Sequence, residues 1–175
     1  MKKLRKYYIL LIFLIIVLNS CSSKIDENNI DFIELPENFE INIFADLDVS
    51  SITYPGPNAG PRFMAFKNGT LYLSVSKQGK VVALPDTNKD GKADEIIMVI
   101  GNLNNPHGLA FYEDWLYIAE EDKIIRVKDV NNDLIYETET MEILVDNLPL
   151  GGHWTRTIKI FNENLYISIG SSCNV

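Results

Sequence analysis

The chain contains two histidines, His107 and His153, which lie 46 residues apart in loop-like segments. A neutral histidine near pH 7 is the commonest general base in enzymes. Arg156 follows His153 by three residues, and Arg62 occupies a comparable segment earlier in the chain. Because arginines bind carboxylates through paired hydrogen bonds, the pattern predicts a pocket for an anionic ligand with a base beside it. The alternative is that both imidazoles only cap backbone groups in their loops.

Two acidic segments form a second set of candidate ligands. Residues 86–94 carry oxygen-bearing side chains at loop positions 1, 3, 5 and 9, with Gly91 at position 6, as in the first part of a calcium loop. The candidate metal ligands are Asp86, Asn88, Asp90 and Asp94. A related segment starts 43 residues later at Asp129, with leucine where the first has glycine. Both lack glutamate at position 12, and turns rich in Asp and Asn have the same composition. Structural calcium and a metal-free turn are therefore both open.

Three aligned segments must position these residues. Each has an apolar residue five positions before the leucine of a Leu-Tyr pair, at Leu71, Leu116 and Leu165. The spacings of 45 and 49 residues, with alternating apolar positions, predict four short strands per repeat. We therefore expect an all-β chain, a β-propeller of about two and a half four-stranded blades. An open β-sandwich with a coincidental repeat is the alternative.

The propeller architecture predicts where the candidate residues meet. In such a fold, the loops that lead into the innermost strand of each blade gather at one end of the central channel. Arg62, His107 and the segment from His153 to Arg156 each precede the first strand of a repeat. We therefore expect them to lie together around one axis.

Residues 1–20 have the pattern of an export signal, with a basic start and an apolar core of 12 residues. A membrane-spanning helix needs about 20 apolar residues. Residues 18–21 resemble a bacterial lipobox, so we expect cleavage before Cys21 and attachment of lipid to it. A plain cleaved signal and an uncleaved anchor are the alternatives, and both also export the protein. Residues 21–38 then form a polar tether, and residues 39–175 a partial propeller at the periplasmic face or cell surface.

Charge, cysteine content and length limit the interpretation further. Loss of residues 1–20 removes four basic residues and no acid, so the formal net charge changes from −8 to −12. An acidic chain is unsuited to non-specific binding of nucleic acid, which requires a basic surface.

If Cys21 carries lipid, Cys173 is the only thiol left, which predicts a partner cysteine elsewhere. Propellers have about four to eight blades, so we expect this chain to be the front of a longer protein.

Three segments resemble the pyrroloquinoline quinone (PQQ)-dependent sugar dehydrogenases, in particular the sorbosone dehydrogenase-like branch related to soluble quinoprotein glucose dehydrogenase. They are residues 105–111, 151–157 and 165–175. The resemblance implies a six-bladed propeller that oxidises a sugar, or a related alcohol or aldehyde, by hydride transfer to PQQ beside calcium. It implies that His153 is the general base and that His107 lies near the sugar. By the same resemblance, Arg156 sits close to a pocket arginine, and Arg62 lies in the equivalent loop of the first blade, so both are expected to bind cofactor or substrate.

The resemblance also leaves parts of that site outside this sequence. In the family, the main quinone ligands and the calcium ligands come from later blades, so we expect the 175-residue chain alone to be inactive. The expected partners are a small sugar or polyol and an unidentified electron acceptor, with membrane contact only through the lipid anchor. A non-catalytic surface propeller that binds protein or carbohydrate is the main alternative, because a fold alone does not define function. A lactonase-like propeller hydrolase is another, and it would need metal ligands on the channel axis.

Overall fold

The computed structural model describes residues 33–47 and 60–172. The predicted lipid attachment at Cys21 and the unpaired thiol of Cys173 lie outside these ranges. So do the first part of the predicted tether and the whole export signal. Within the described ranges, no helix is long and apolar enough to cross a membrane.

The chain divides into two compact units, Met1–Ile41 and Asn42–Val175. In the described part of the first unit, one turn is present, where the Phe39 N–H donates to the Pro36 carbonyl at 3.1 Å. The second unit contains all the strands of the described ranges.

The strands of the second unit form three antiparallel sheets. The first sheet contains β1 (Phe63–Lys67), β2 (Thr70–Val75), β3 (Lys80–Leu84) and β4 (Ile97–Ile100) in chain order. The second contains β5 (Leu109–Tyr112), β6 (Trp115–Ala119), β7 (Ile124–Lys128) and β8 (Glu137–Val145) in the same order. The third is a hairpin of β9 (Arg156–Phe161) and β10 (Asn164–Ile169). The expected all-β chain with two four-stranded blades and part of a third is therefore confirmed.

The repeat seen in the sequence is a repeat of strand register. Leu71 pairs with Phe66 and Leu116 pairs with Phe111 across equivalent hairpins. Leu165 pairs with Ile160 in the third hairpin. Each hairpin closes through a two-residue loop, and the first uses Asn68 and Gly69 at φ 52° and 85°. The third loop, Asn162 and Glu163, is also left-handed at both residues, and such pairs match the twist of antiparallel strands.

Buried side chains join neighbouring blades. The largest cluster combines Tyr72 and Val81 of the first sheet with Leu116 and Ile125 of the second. A further cluster packs the second sheet against the β9–β10 hairpin and includes the buried Ile158. The interior of a protein is densely packed, so this packing holds the inner strands β1, β5 and β9 side by side. The segments that enter these strands are thereby brought close together.

Candidate functional site

Three segments that enter inner strands meet at the indole of Trp154. Arg62 precedes β1, His107 precedes β5, and Trp154 precedes β9. The guanidinium carbon of Arg62 lies 5.4 Å from the centre of the indole ring. The imidazole of His107 stands edge-on to the same ring, with ring centres 5.7 Å apart and planes at 84°. The structure thus brings Arg62 and His107 together, as the repeat predicts, with Trp154 between them.

Lys77 is a second cation on the same indole. It lies in a 3-10 turn, Ser76–Gln78, between β2 and β3. Its Nζ is 5.4 Å from the centre of the Trp154 ring and 3.3 Å from Oδ1 of Asn105. Cation–π contacts of this kind stabilise by about 0.5–2 kcal/mol each. We call Arg62, Phe63, Lys77, His107 and Trp154 the Trp154 cluster.

His107 is held at its backbone and at its ring. Its N–H donates to the Ala119 carbonyl at 2.8 Å, and its carbonyl accepts the Ser74 hydroxyl at 2.7 Å. Nδ1 lies 3.1 Å from the Arg156 carbonyl. Since a carbonyl only accepts, this bond assigns the proton to Nδ1 and makes Nε2 the acceptor nitrogen of the neutral ring. The Phe63 ring, with its centre 5.8 Å from that of the imidazole, completes the contacts.

Burial lowers the pKa of His107 below its ordinary value of 6.5, because the cation is poorly solvated there. The hydrogen bond to the Arg156 carbonyl acts in the opposite direction, and the positive charge of Arg62 lowers the pKa further. The net direction is downward, so the ring is neutral at pH 7. A neutral ring protonated at Nδ1 can accept a hydrogen bond from a ligand hydroxyl at Nε2.

This shift predicts a stability change with pH. Below about pH 6.5 the unfolded chain protonates His107 while the folded chain resists protonation, so the free energy of unfolding falls as the pH falls toward the folded pKa. Above pH 6.5 the contribution is fully present. Denaturant unfolding at pH 7.5 and 5.5 should show a smaller loss of stability in His107→Gln than in the wild type. An equal loss in both proteins would contradict the assigned shift.

Arg156 lies behind the histidine loops and is completely buried, with 0% exposure. Its guanidinium donates to backbone carbonyls of four residues: Pro149, Glu121, His153 and Thr155. In this structure the side chain therefore holds the loop that enters β9. Contact between Arg156 and a ligand stays a prediction.

The backbone of His153 is fixed, whereas its side chain is exposed. Its N–H donates to the Ser171 carbonyl at 2.8 Å, and its carbonyl accepts from Arg156 at 3.0 Å. Gly170 lies so close that a Cβ there would collide with the His153 backbone. The main chain of His153 is therefore held in place in an exposed part of the loop. Its role as a base stays a prediction.

Glu120 is a buried supporting residue that the sequence analysis missed. It is 2% exposed, and its carboxylate accepts the Asn104 N–H at 2.5 Å and lies 3.2 Å from Nζ of Lys123. A charged residue directly after the apolar strand β6 was the available signal. By tying down Asn104, Glu120 fixes the start of the segment that carries His107.

The first acidic segment forms a turn closed by its own hydrogen bonds. Each of the four predicted metal ligands accepts at least one hydrogen bond from within the turn: Asp86, Asn88, Asp90 and Asp94. Asp86 accepts the N–H groups of Asp90 and Gly91, both at 3.1 Å. Hydrogen bonds from the hydroxyl and N–H of Thr87 lower the pKa of Asp94. This geometry accounts for the acidic composition without a metal, and calcium binding here stays a prediction.

The second acidic segment adopts the same turn. Asp129 accepts the N–H groups of Asp133 and Leu134 at 3.2 and 3.0 Å, which repeats the two bonds of Asp86. Leu134 has φ 67°, although leucine is disfavoured in this left-handed region. Oxygen atoms of Asp129, Asp133 and Glu137 lie within 4.8 Å of one another. Among the described residues, the carboxylates therefore converge in the second segment.

The conformation of the first turn predicts the cost of replacing its glycine. Gly91 has φ 81° and open space where a Cβ would stand, so any penalty is conformational. We expect Gly91→Ala to lower the free energy of unfolding by about 1–2 kcal/mol. Gly91→Asn should cost less, because asparagine tolerates this region better. Equal stability of the wild type and both variants in denaturant unfolding would show that the turn does not hold this conformation.

The described residues include two cavities of appreciable size. The larger, about 520 Å³, lies near the end of β1 opposite to Arg62 and is lined by polar groups that include Lys67, Lys128 and Asp129. The other, about 380 Å³, is an apolar groove that runs beside Phe63 and Leu73. Neither lining contains a histidine. Arg62 and Phe63 of the Trp154 cluster line the second cavity, whereas Lys77, His107 and Trp154 line neither.

Several solved structures have this arrangement of strands. Two are structures of a protein of Carbohydrate-Active Enzymes Family AA12 from Trichoderma reesei, determined with iodide and with calcium. They are 22% and 21% identical to this chain, each with a TM-score of 0.57 over 66% of it and 31% and 30% of theirs. The holo form of the PQQ domain of pyranose dehydrogenase from Coprinopsis cinerea is 19% identical, with a TM-score of 0.56 over 66% and 29%. The chain spans less than a third of the length of each.

At these identities the likeness defines a fold class, an all-β domain of the propeller type. The chain belongs to the family described as a domain of unknown function, DUF7133, whose model matches residues 26–148. No curated protein matches the chain. The expected resemblance to PQQ-dependent enzymes therefore agrees with the solved structures at the level of the fold, and the sorbosone dehydrogenase-like branch stays a prediction.

Proposed function

We propose that the protein is a quinone-dependent dehydrogenase, or the N-terminal part of one, that oxidises a sugar or a related alcohol or aldehyde. The observation that supports this most is the Trp154 cluster. Two cations, Arg62 and Lys77, and the neutral His107 surround one indole at the entrance to three inner strands. The fold shared with the PQQ domain of pyranose dehydrogenase supports the same proposal.

The residues of the Trp154 cluster fit PQQ, which is a planar aromatic tricarboxylate. Arg62 and Lys77, which both lie over the indole of Trp154, would hold carboxylates through charge-assisted hydrogen bonds. Calcium fits the cluster less well, since none of its five residues carries a carboxylate. We therefore assign no residue of the cluster to that ion.

The roles of the two histidines follow from their surroundings. When bound, the quinone supplies the acceptor for the hydride that leaves the substrate carbon. His153, whose ring is exposed, takes the proton of the substrate hydroxyl as general base. His107 accepts a hydrogen bond from a substrate hydroxyl at Nε2 and so orients the sugar. The rings of Phe63 and Trp154 flank His107 and limit the access of water.

Export and membrane anchoring complete the proposal. They rest on the signal-like pattern of residues 1–20 and on the lipobox-like sequence before Cys21. Labelled palmitate incorporated by the wild type, and lost in Cys21→Ala, would support lipid attachment. Equal labelling of both proteins would exclude Cys21 as the attachment site.

Dye-linked oxidation of sugars by the full-length protein tests the proposal. With added PQQ and calcium, we expect dye reduction that depends on both the sugar and the quinone. Arg62→Gln with Lys77→Gln should raise the quinone concentration needed for half-maximal activity at least about tenfold, because charge-assisted bonds contribute about 1.5–3 kcal/mol each. Lys89→Gln, in the exposed first acidic turn, is the matched control and should change nothing. Absence of dye reduction across aldoses and polyols in quinone-loaded protein would overturn the proposal.

A further inference from the structure

Arg156 connects the two segments that carry the histidines. Its guanidinium donates to the carbonyls of His153 and Thr155 at 3.0 Å each, and Nε donates to the Glu121 carbonyl at 3.1 Å. It also donates to the Pro149 carbonyl. Within the described residues, the partners of this guanidinium are backbone carbonyls, so the buried charge holds main chain on both sides of the loop that carries His153.

The backbone of Arg156 holds the other histidine. Its carbonyl accepts the Gly108 N–H at 2.9 Å and faces Nδ1 of His107 at 3.1 Å. The carbonyl oxygen of Arg156 thus accepts hydrogen bonds both from the Gly108 N–H and from the imidazole of His107. The position of this carbonyl depends on the side-chain bonds of the same residue, because they fix the chain just before β9.

We infer that Arg156 is a positioning residue that holds the His153 loop through its guanidinium and sets the Nδ1–H tautomer of His107 through its carbonyl. This differs from the role of a ligand-contacting arginine predicted from the sequence. The inference rests on the proposed function only for what the two histidines then do. We call these hydrogen bonds of Arg156 the clamp, and their geometry requires neither quinone nor substrate.

Ring ¹⁵N spectra of the full-length protein, labelled at histidine, test the inference directly. Long-range ¹H–¹⁵N correlations identify the protonated ring nitrogen, and His153→Gln assigns the two sets of signals. We expect the wild-type His107 ring to carry its proton on Nδ1 at pH 7.5. In Arg156→Lys, where one ammonium cannot span four separate carbonyls, we expect a mixture of tautomers at His107 and a shift of the His153 signals.

Two outcomes overturn the inference. One is a wild-type His107 protonated on Nε2, and the other is an Arg156→Lys protein whose histidine signals are unchanged. If Arg156→Lys does not fold, the rate of hydrogen exchange of the Arg156 Nε–H is measured in the wild type instead. Slow exchange supports the clamp, whereas exchange as fast as in exposed arginines excludes it. These spectra need no turnover, so an inactive protein with the expected tautomer would reject the proposed function and keep the clamp.

Discussion

Replacement of His153 by glutamine is expected to lower kcat for dye-linked sugar oxidation by about 10²–10⁴-fold, the usual contribution of a general base. Glutamine has a similar reach and can still form hydrogen bonds, but it cannot take the hydroxyl proton. The backbone of His153 is held by Ser171 and Arg156, so the substitution leaves the loop in place. Steady-state kinetics on quinone-loaded protein provide the measurement.

Two comparisons make this prediction specific. The affinity for quinone should stay within about twofold of the wild type, because the proposed carboxylate contacts come from Arg62 and Lys77. His107→Gln should instead act mainly on KM, since that ring is proposed to orient the substrate. A His153→Gln enzyme that kept most of the wild-type kcat would remove His153 as the base.

The second large effect is expected at Gly108, where β5 passes β9. A Cβ at this position would lie 2.6 Å from the Arg156 carbonyl oxygen and 2.8 Å from the Ile158 nitrogen. These atoms belong to backbone, which cannot move aside as a flexible side chain can. We expect Gly108→Ala to lower the free energy of unfolding by about 3 kcal/mol or more, at the upper end of the effects of overpacking. Denaturant or thermal unfolding measures the loss.

Gly101→Ala is the matched control for this substitution. Among the described residues, a Cβ at Gly101 would meet the Met98 sulfur at 3.6 Å, an ordinary contact. This variant should stay within about 0.5–1 kcal/mol of the wild type. Equal destabilisation by the two substitutions would contradict the close approach of β5 and β9. The Arg156 carbonyl lies at this close approach and also accepts a hydrogen bond from the His107 ring. Gly108→Ala should therefore also disturb the position of His107.

The fold could be predicted from the sequence because the repeat is a register pattern. The apolar residue five positions before each leucine is its partner across a hairpin, as the Phe66–Leu71 and Phe111–Leu116 pairs show. Spacing along one strand pair is a local property, so a single sequence reveals it. The same pattern placed Arg62 and His107 at equivalent points, and the structure brings them to one ring.

The rest of the site depends on contacts between blades, which no spacing encodes. Lys77 follows β2 rather than preceding an inner strand, and its place over Trp154 depends on how the first blade packs on the next ones. The full burial of Arg156 could not be predicted either, because arginine is mostly exposed in proteins. Of its backbone partners, the Glu121 carbonyl belongs to a segment distant in sequence, and the other three lie in the loop just before β9.

The acidic turns show the converse case. Their composition suggested a calcium site, whereas hydrogen bonds within the turns already account for that composition. The shared hydrogen bonds of Asp86 and Asp129 explain why both turns are rich in Asp and Asn. Leu134 occupies the left-handed position that Gly91 holds, so the turn forms without a glycine. The side chain of Leu134 packs against the main core cluster, which offsets the unfavourable backbone conformation.

Titration of the protein with PQQ, followed by the fluorescence of Trp154, tests the central claim most directly. These 175 residues contain two tryptophans, so Trp115→Phe leaves Trp154 as their one tryptophan, which excitation selective for tryptophan observes. We predict saturable quenching, weakened at least about tenfold by Lys77→Gln and weakened by salt, because the contacts are ionic. Quenching that does not saturate, or that is unaffected by both Lys77→Gln and salt, would contradict a quinone site at the Trp154 cluster.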